Sequence, residues 1–225
     1  MFKSEADMAE PVKLWMESLS LLVKAEFISP WGICDFVGLN FRNHNVARRL
    51  ELGQRRAVTS TARAALLLQI PDIETNRCIT LSELIAAFAP VLPEEVVLKE
   101  AQRLVADKFV VRERDRLQKV NGWMPLQKRL MAVELKLKRI EEAIRQAQNN
   151  LGFSNESYVA LPMELATRIT SSNRREDFLK RGIGLLGVTP DSCMVLIRSR
   201  SVPSGNPVFQ FCCVEKFWRS LIKGN

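Results

Sequence analysis

The chain of 225 residues contains a single histidine, His44, a single tyrosine and no Cys-x-x-Cys pair. Zinc centres are built from closely spaced Cys and His, so this scarcity excludes a recognisable one. The five cysteines, Cys34, Cys78, Cys193, Cys212 and Cys213, are odd in number and scattered. A disulfide framework is not expected from such a set, and a reduced, cytoplasmic setting is. Every apolar run is broken by charged or polar residues well before the roughly 18 needed for a membrane span, so no membrane partner is expected. The N-terminus, Met-Phe-Lys-Ser-Glu-Ala-Asp, carries acid where a signal peptide needs an apolar core, and export is not expected either. His44 has no partner in the sequence for catalysis and reads as a loop residue.

What the chain does have is apolar content for a core, at 47%, and a basic balance of +8 with a pI near 9.5. The charge suits a polyanionic partner such as nucleic acid.

The most informative stretch is 131–152. Met131, Val133, Leu135 and Leu137 alternate with Ala132, Glu134, Lys136 and Lys138, as a strand with one buried face requires. Glu134 and Lys136 therefore share a face, roughly 7 Å apart along a strand. The period then changes to helical, with Ile140, Ala143, Ile144, Ala147 and Leu151 on one stripe, Gln146 beside it, and Gly152 as the stop.

Upstream, residues 4–24 read as a helix with Ser4 as N-cap, unless Pro11 delays its start. Residues 26–41 read as a hairpin. Asp35 is unusual in its second strand: either it faces water, or it is buried and must be matched by a metal or a donor. Downstream, residues 156–162 read as a core strand, 174–181 as a helix ended by Gly182, 183–188 and 191–198 as further strands, and 199–206 as a polar loop. Residues 208–223 have enough apolar side chains to pack.

Residues 45–119 are helical in character. Arg48, Arg49, Arg55, Arg56 and Arg63 decorate one helical stretch, Thr80 and Glu83 form a capping-box pattern, and Pro93 opens an acidic amphipathic helix. A short strand from Phe109 follows. Three helices and such a strand resemble a winged helix-turn-helix.

The outer parts, read together, give helix, hairpin, strand, helix, strand, helix, strand, an α/β chain with an α/β/α layered sheet. On it lie Glu5, Asp35, Glu134-Leu-Lys136 and Gln146, in that order. This arrangement resembles the PD-(D/E)XK nuclease superfamily, over roughly residues 4–41 and 128–198, about half the chain. Asp35 matches the family's hairpin aspartate, and Glu134 and Lys136 its Glu-x-Lys. Gln146 matches a helix glutamine of some branches, and Glu5 a first-helix glutamate, a place that Glu10 or Glu17 could also take. The motif's proline is absent, Cys34 standing before Asp35, and the insertion separates Asp35 from Glu134 by far more chain than in compact members.

The resemblance implies a restriction-endonuclease-like core with a mixed sheet, at 1–45 and 120–200. A winged-helix-like insertion would occupy 46–119, and a tail at 201–225 would pack on the core. It implies a metal-dependent DNA endonuclease in which Asp35 and Glu134 hold Mg²⁺ or Mn²⁺, Lys136 acts on the attacking water, and Gln146 positions Lys136 or a phosphate oxygen. The alternatives are an inactive DNA-binding or regulatory protein on the same scaffold and a winged-helix adaptor that binds another protein. A homodimer is compatible with any of them. Because the third helix of the insertion opens with Glu94 and Glu95, DNA contact is expected instead from Arg48, Arg49, Arg55, Arg56 and from Arg112, Arg114 and Arg116 on the wing, with the acidic helix left for a protein partner.

Overall fold

The computed structural model describes residues 2–120 and 124–223, which group into two compact units. The first comprises the described residues of 1–40 and 127–210, the second those of 41–126 and 211–225. The class is α/β.

In the first unit a 3₁₀ turn, Glu5–Met8, leads into helix α1, Ala9–Ser18. Ser4 and Asp7 form a capping box at its start, and Pro11 falls in the first turn of α1, where its missing N–H would have had no partner anyway. The helix stops well short of residue 24. Ser20 adopts a left-handed φ of 58°, and strand β1, Leu22–Ser29, already pairs with β2, Gly32–Phe41, from Leu22 opposite Leu39 onward. Backbone pairing across the hairpin overrides the helical reading of the residues from Leu22 to Lys24.

Strands β6 (Gln127–Leu135), β7 (Glu156–Pro162), β8 (Gly184–Thr189) and β9 (Ser192–Ile197) complete a six-stranded sheet in the order β1-β2-β6-β7-β8-β9. Here β6, β7 and β8 run parallel, while the β1/β2 and β8/β9 pairs are antiparallel, so the sheet is mixed. The alternation in β6 sorts its side chains, but both faces are buried and not one: Ala132 and Glu134 are as enclosed as Met131 and Val133. Met131, Val133 and Leu135 join Val12 and Met16 of α1 in one buried cluster. On the other face Val159 and Leu161 pack against α6 (Ile140–Asn150), α7 (Met163–Thr170) and α8 (Arg174–Arg181). Helix α7 follows Pro162 directly and is an addition to the elements expected from sequence.

Two glycines differ in what they do. Gly182 caps α8 in the left-handed region at φ 70°. Gly152, expected to stop α6 in the same way, has no positive φ; a Cβ there would lie 2.2 Å from the Trp31 ring, so its value is close approach.

The second unit contains α2 (Asn43–Glu51), α3 (Thr61–Gln69), α4 (Leu81–Phe88) and α5 (Glu94–Ala106). Strands β3 (Ile79–Thr80), β4 (Val110–Glu113) and β5 (Arg116–Lys119) form a three-stranded sheet in the order β3-β5-β4. The capping box of Thr80 and Glu83 forms as expected. The arginine-rich stretch is two helices, not one: Arg48 and Arg49 end α2, Arg63 lies in α3, and Arg55 and Arg56 sit on the connection between them. His44 is an exposed residue of α2, not of a loop.

Helix α9, Pro207–Lys223, begins in the first unit, and its residues from Phe211 onward belong to the second. Of the tail expected to pack on the sheet core, residues 201–210 group with it and those from Phe211 onward with the second unit. The reason is a fully buried charge: Glu215 is 0% exposed and pairs with Arg49, while Trp218 Nε1 donates to the Arg55 carbonyl. No helix among the described residues is long and apolar enough to cross a membrane.

Candidate functional site

Asp35 lies midway along β2, beside β6 in the sheet. One carboxylate oxygen accepts from the Leu135 N–H at 2.7 Å, which pins it to the end of β6 between Glu134 and Lys136. Burial pushes its carboxyl up, against the pull of that hydrogen bond and of the Lys136 charge. Asp35 falls between the two sequence-level options: it is part-buried, with a backbone donor as its match.

Glu134 is 2% exposed. Its Oε1 accepts from Asn150 Nδ2 at 2.6 Å, from the last turn of α6. Burial raises its carboxyl to about 7; the Asn150 hydrogen bond and the Lys136 charge work against that rise, and the neighbouring Asp35 charge adds to it. Cys34 is the third group here. Its Sγ lies 3.4 Å from Asn150 Nδ2, and burial, reinforced by the Glu134 charge, pushes the thiol well up. A thiol so placed stays protonated and is no nucleophile.

Lys136 emerges just past β6 and is 6% exposed. Its Nζ reaches Glu5 Oε2 at 3.5 Å, while Glu5 Oε1 accepts from the Leu137 N–H at 3.4 Å. Glu5 is therefore the first-helix acid that meets the Glu-x-Lys segment. Glu10 is exposed, and Glu17 is exposed and pairs with Lys13.

Gln146 does not position Lys136 through its Oε1, since the Lys136 ammonium is held by Glu5. The Gln146 Oε1 is buried without a hydrogen-bond partner, and the α6 residue that meets Glu134 is Asn150, one turn further on. A signal for Asn150 did exist, since it follows Ala143 and Ala147 on the apolar stripe, where a polar side chain must have a buried partner.

Two hard carboxylates side by side suit Mg²⁺ or Mn²⁺, because Mg²⁺ takes one or two protein carboxylates and completes its shell with water and substrate phosphate. Asp35 and Glu134 match that donor set. A larger all-protein cage is not built: among the described residues no group of three or more His, Cys, Asp or Glu could hold a metal ion.

The arginines expected to meet DNA all lie in the second unit. Arg48 is exposed and pairs with Glu51. Arg55 and Arg56 are exposed, as are Arg112, Arg114 and Arg116 around the turn between β4 and β5, where Arg112 Nε donates to the Arg114 carbonyl. Arg49 is different. It is 3% exposed and held by Glu215, so it cannot reach a ligand. A buried guanidinium needs a carboxylate, and α9 supplies one that sequence order hides.

Fold and geometry thus define an α/β protein with a mixed sheet and a carboxylate and lysine cluster where β2 meets the end of β6. Comparison with protein-family models, with curated proteins and with solved structures finds no match to the chain.

Proposed function

We propose that this protein is a metal-dependent DNA endonuclease whose core resembles the PD-(D/E)XK nucleases and whose second unit is a winged-helix-like DNA-contacting module. The observation that carries the reading is the convergence of Asp35, Glu134, Lys136 and Glu5 on one short segment, although Glu5 and Asp35 lie about a hundred residues or more before Glu134. Asp35 and Glu134 would hold Mg²⁺ or Mn²⁺, which when bound offsets charge at a scissile phosphate and lowers the pKa of a coordinated water. Lys136 would orient the attacking water and stabilise negative charge developing on the phosphate. Glu5 holds the Lys136 ammonium in place, and Asn150 fixes the rotamer of Glu134. Arg48, Arg55, Arg56, Arg112, Arg114 and Arg116 would contact DNA phosphates without reading bases.

A second reading is favoured by one observation. Glu134 is nearly enclosed and its carboxyl is raised to about 7, as suits an inactive scaffold that binds DNA only. One assay separates the two readings: plasmid and branched DNA incubated with Mg²⁺, with Mn²⁺ or with EDTA. Cleavage in either metal that EDTA abolishes supports the nuclease; binding without cleavage in any condition supports the scaffold.

A further inference from the structure

A pocket of about 600 Å³ lies within the second unit, lined by the 55–59 connection, α3, α5 and α9. That volume falls within the roughly 300–1,000 Å³ of ligand sites. Arg55, Arg56, Arg63, Arg103 and Arg219 line it, against the single carboxylate Asp107. Asp107 is shared by Arg56 at 3.6 Å and Arg63 at 3.4 Å, and Arg63 and Arg103 both bind Glu100 from α5. Burial alone would raise the Glu100 carboxyl; the two guanidinium groups outweigh it and hold Glu100 below its ordinary value, as a carboxylate. Arg55 and Arg219 enter no ion pair among the described residues.

The irregular segment that bears Arg55 and Arg56 is held from beneath. Arg49 donates to the Gln54 carbonyl at 3.0 Å and to the Arg56 carbonyl at 3.0 Å, Trp218 Nε1 donates to the Arg55 carbonyl at 3.0 Å, and the Val58 N–H donates to Glu215 at 2.7 Å. The Arg49 guanidinium also lies over the Trp218 ring, 4.2 Å from its centroid. A buried ion pair contributes little stability beyond what apolar side chains of the same size would give. What the Arg49 and Glu215 pair does provide is position, because it fixes the backbone from which Arg55 and Arg56 project. Guanidinium groups placed in advance lower the ordering cost of binding, and their planar forks match phosphate oxygens.

The geometry points to a phosphate-binding pocket that seats the backbone of a DNA strand, with Arg55 and Arg219 as the contacting pair and Arg56 and Arg103 beside them. Among the described residues the lining contains no aromatic ring on which a base could stack, so the pocket holds sugar-phosphate and is indifferent to sequence. The net charge of +8 has the sign this requires. The choice of DNA rests on the nuclease reading; the pocket itself does not.

The test is fluorescence anisotropy of a labelled DNA duplex against the full chain in EDTA, titrated with salt, for the parent and for Arg55→Gln with Arg219→Gln. Loss of two phosphate contacts should lower the slope of log affinity against log salt by about 1.8 and weaken binding several-fold or more at low salt. The thermal midpoint should not move, because neither side chain holds any part of the fold. Unchanged affinity and slope overturn the proposal. A calorimetric arm with inorganic pyrophosphate identifies the source of the phosphate: if the substitutions abolish pyrophosphate binding but leave DNA binding intact, the pocket serves a free phosphate compound and the strand assignment is overturned. Cleavage in Mg²⁺ is scored separately, comparing the parent with Lys136→Ala. A reduced slope without cleavage leaves the pocket standing and removes the nuclease, and cleavage with an unchanged slope does the reverse.

Discussion

Asn150 Nδ2 donates to Glu134 Oε1 at 2.6 Å, joining the last turn of α6 to the end of β6 where both side chains are buried. Replacing Asn150 with alanine leaves the Glu134 carboxyl without that donor and opens a small cavity. A loss of about 1–3 kcal/mol is expected in a urea unfolding titration. The Glu134 carboxyl should also titrate at a still higher pH in carboxyl-resolved NMR, because the Asn150 bond now opposes the effect of burial.

Glu134→Ala should abolish metal-dependent cleavage of plasmid DNA while leaving DNA binding in EDTA nearly unchanged. The substitution removes one of the two carboxylates available to a metal, and negative charge near a phosphate is lost with it. A variant that cuts as well as the parent would remove Glu134 from the site.

The raised carboxyl of Glu134 has a consequence for the metal-free protein. Its folded pKa of about 7 lies above the ordinary 4.5, so its contribution to stability is fully present below pH 4.5 and is lost as pH rises through about 7. The total involved is on the order of 3 kcal/mol. Unfolding titrations in EDTA across that window should show the decline in the parent, and Glu134→Gln should flatten it.

Arg49 and Glu215 predict a non-additive pair. Glu215→Ala strands the Arg49 guanidinium in a buried place and should cost about 3–5 kcal/mol in urea unfolding. Arg49→Met combined with Glu215→Leu should recover part of that loss, since no unpaired charge remains, while the Val58 N–H and the Gln54 and Arg56 carbonyls lose their partners. The double variant should also bind DNA more weakly, because the backbone of Gln54, Arg56 and Val58 is no longer tied down.

The sequence by itself determined the α/β class and much of the succession of helices and strands along the chain, because period-2 alternation in 131–135 and period-3.6 alternation in 140–151 report faces that each element must bury wherever it ends up. It also singled out Asp35, a charged residue in an otherwise apolar strand that needs a reason, and Glu134 and Lys136 by their spacing on one strand, while Glu5 was reached only through the family resemblance. Tertiary structure decided that Asn150, and not Gln146, is the polar residue of α6 that meets Glu134. Gln146 and Asn150 lie one turn apart beside the same stripe, and only the packing of α6 on the sheet selects Asn150. It likewise ended the first helix early, by pairing Leu22 with Leu39 in the hairpin. Most of all it decided the fate of the arginines. Arg48 and Arg49 are neighbours of one type in one helix, yet one is exposed and the other closed over by Glu215, which is 166 residues away along the chain. Local pattern cannot report such a partner, because the cost of burying a charge is settled by whatever the fold brings to it.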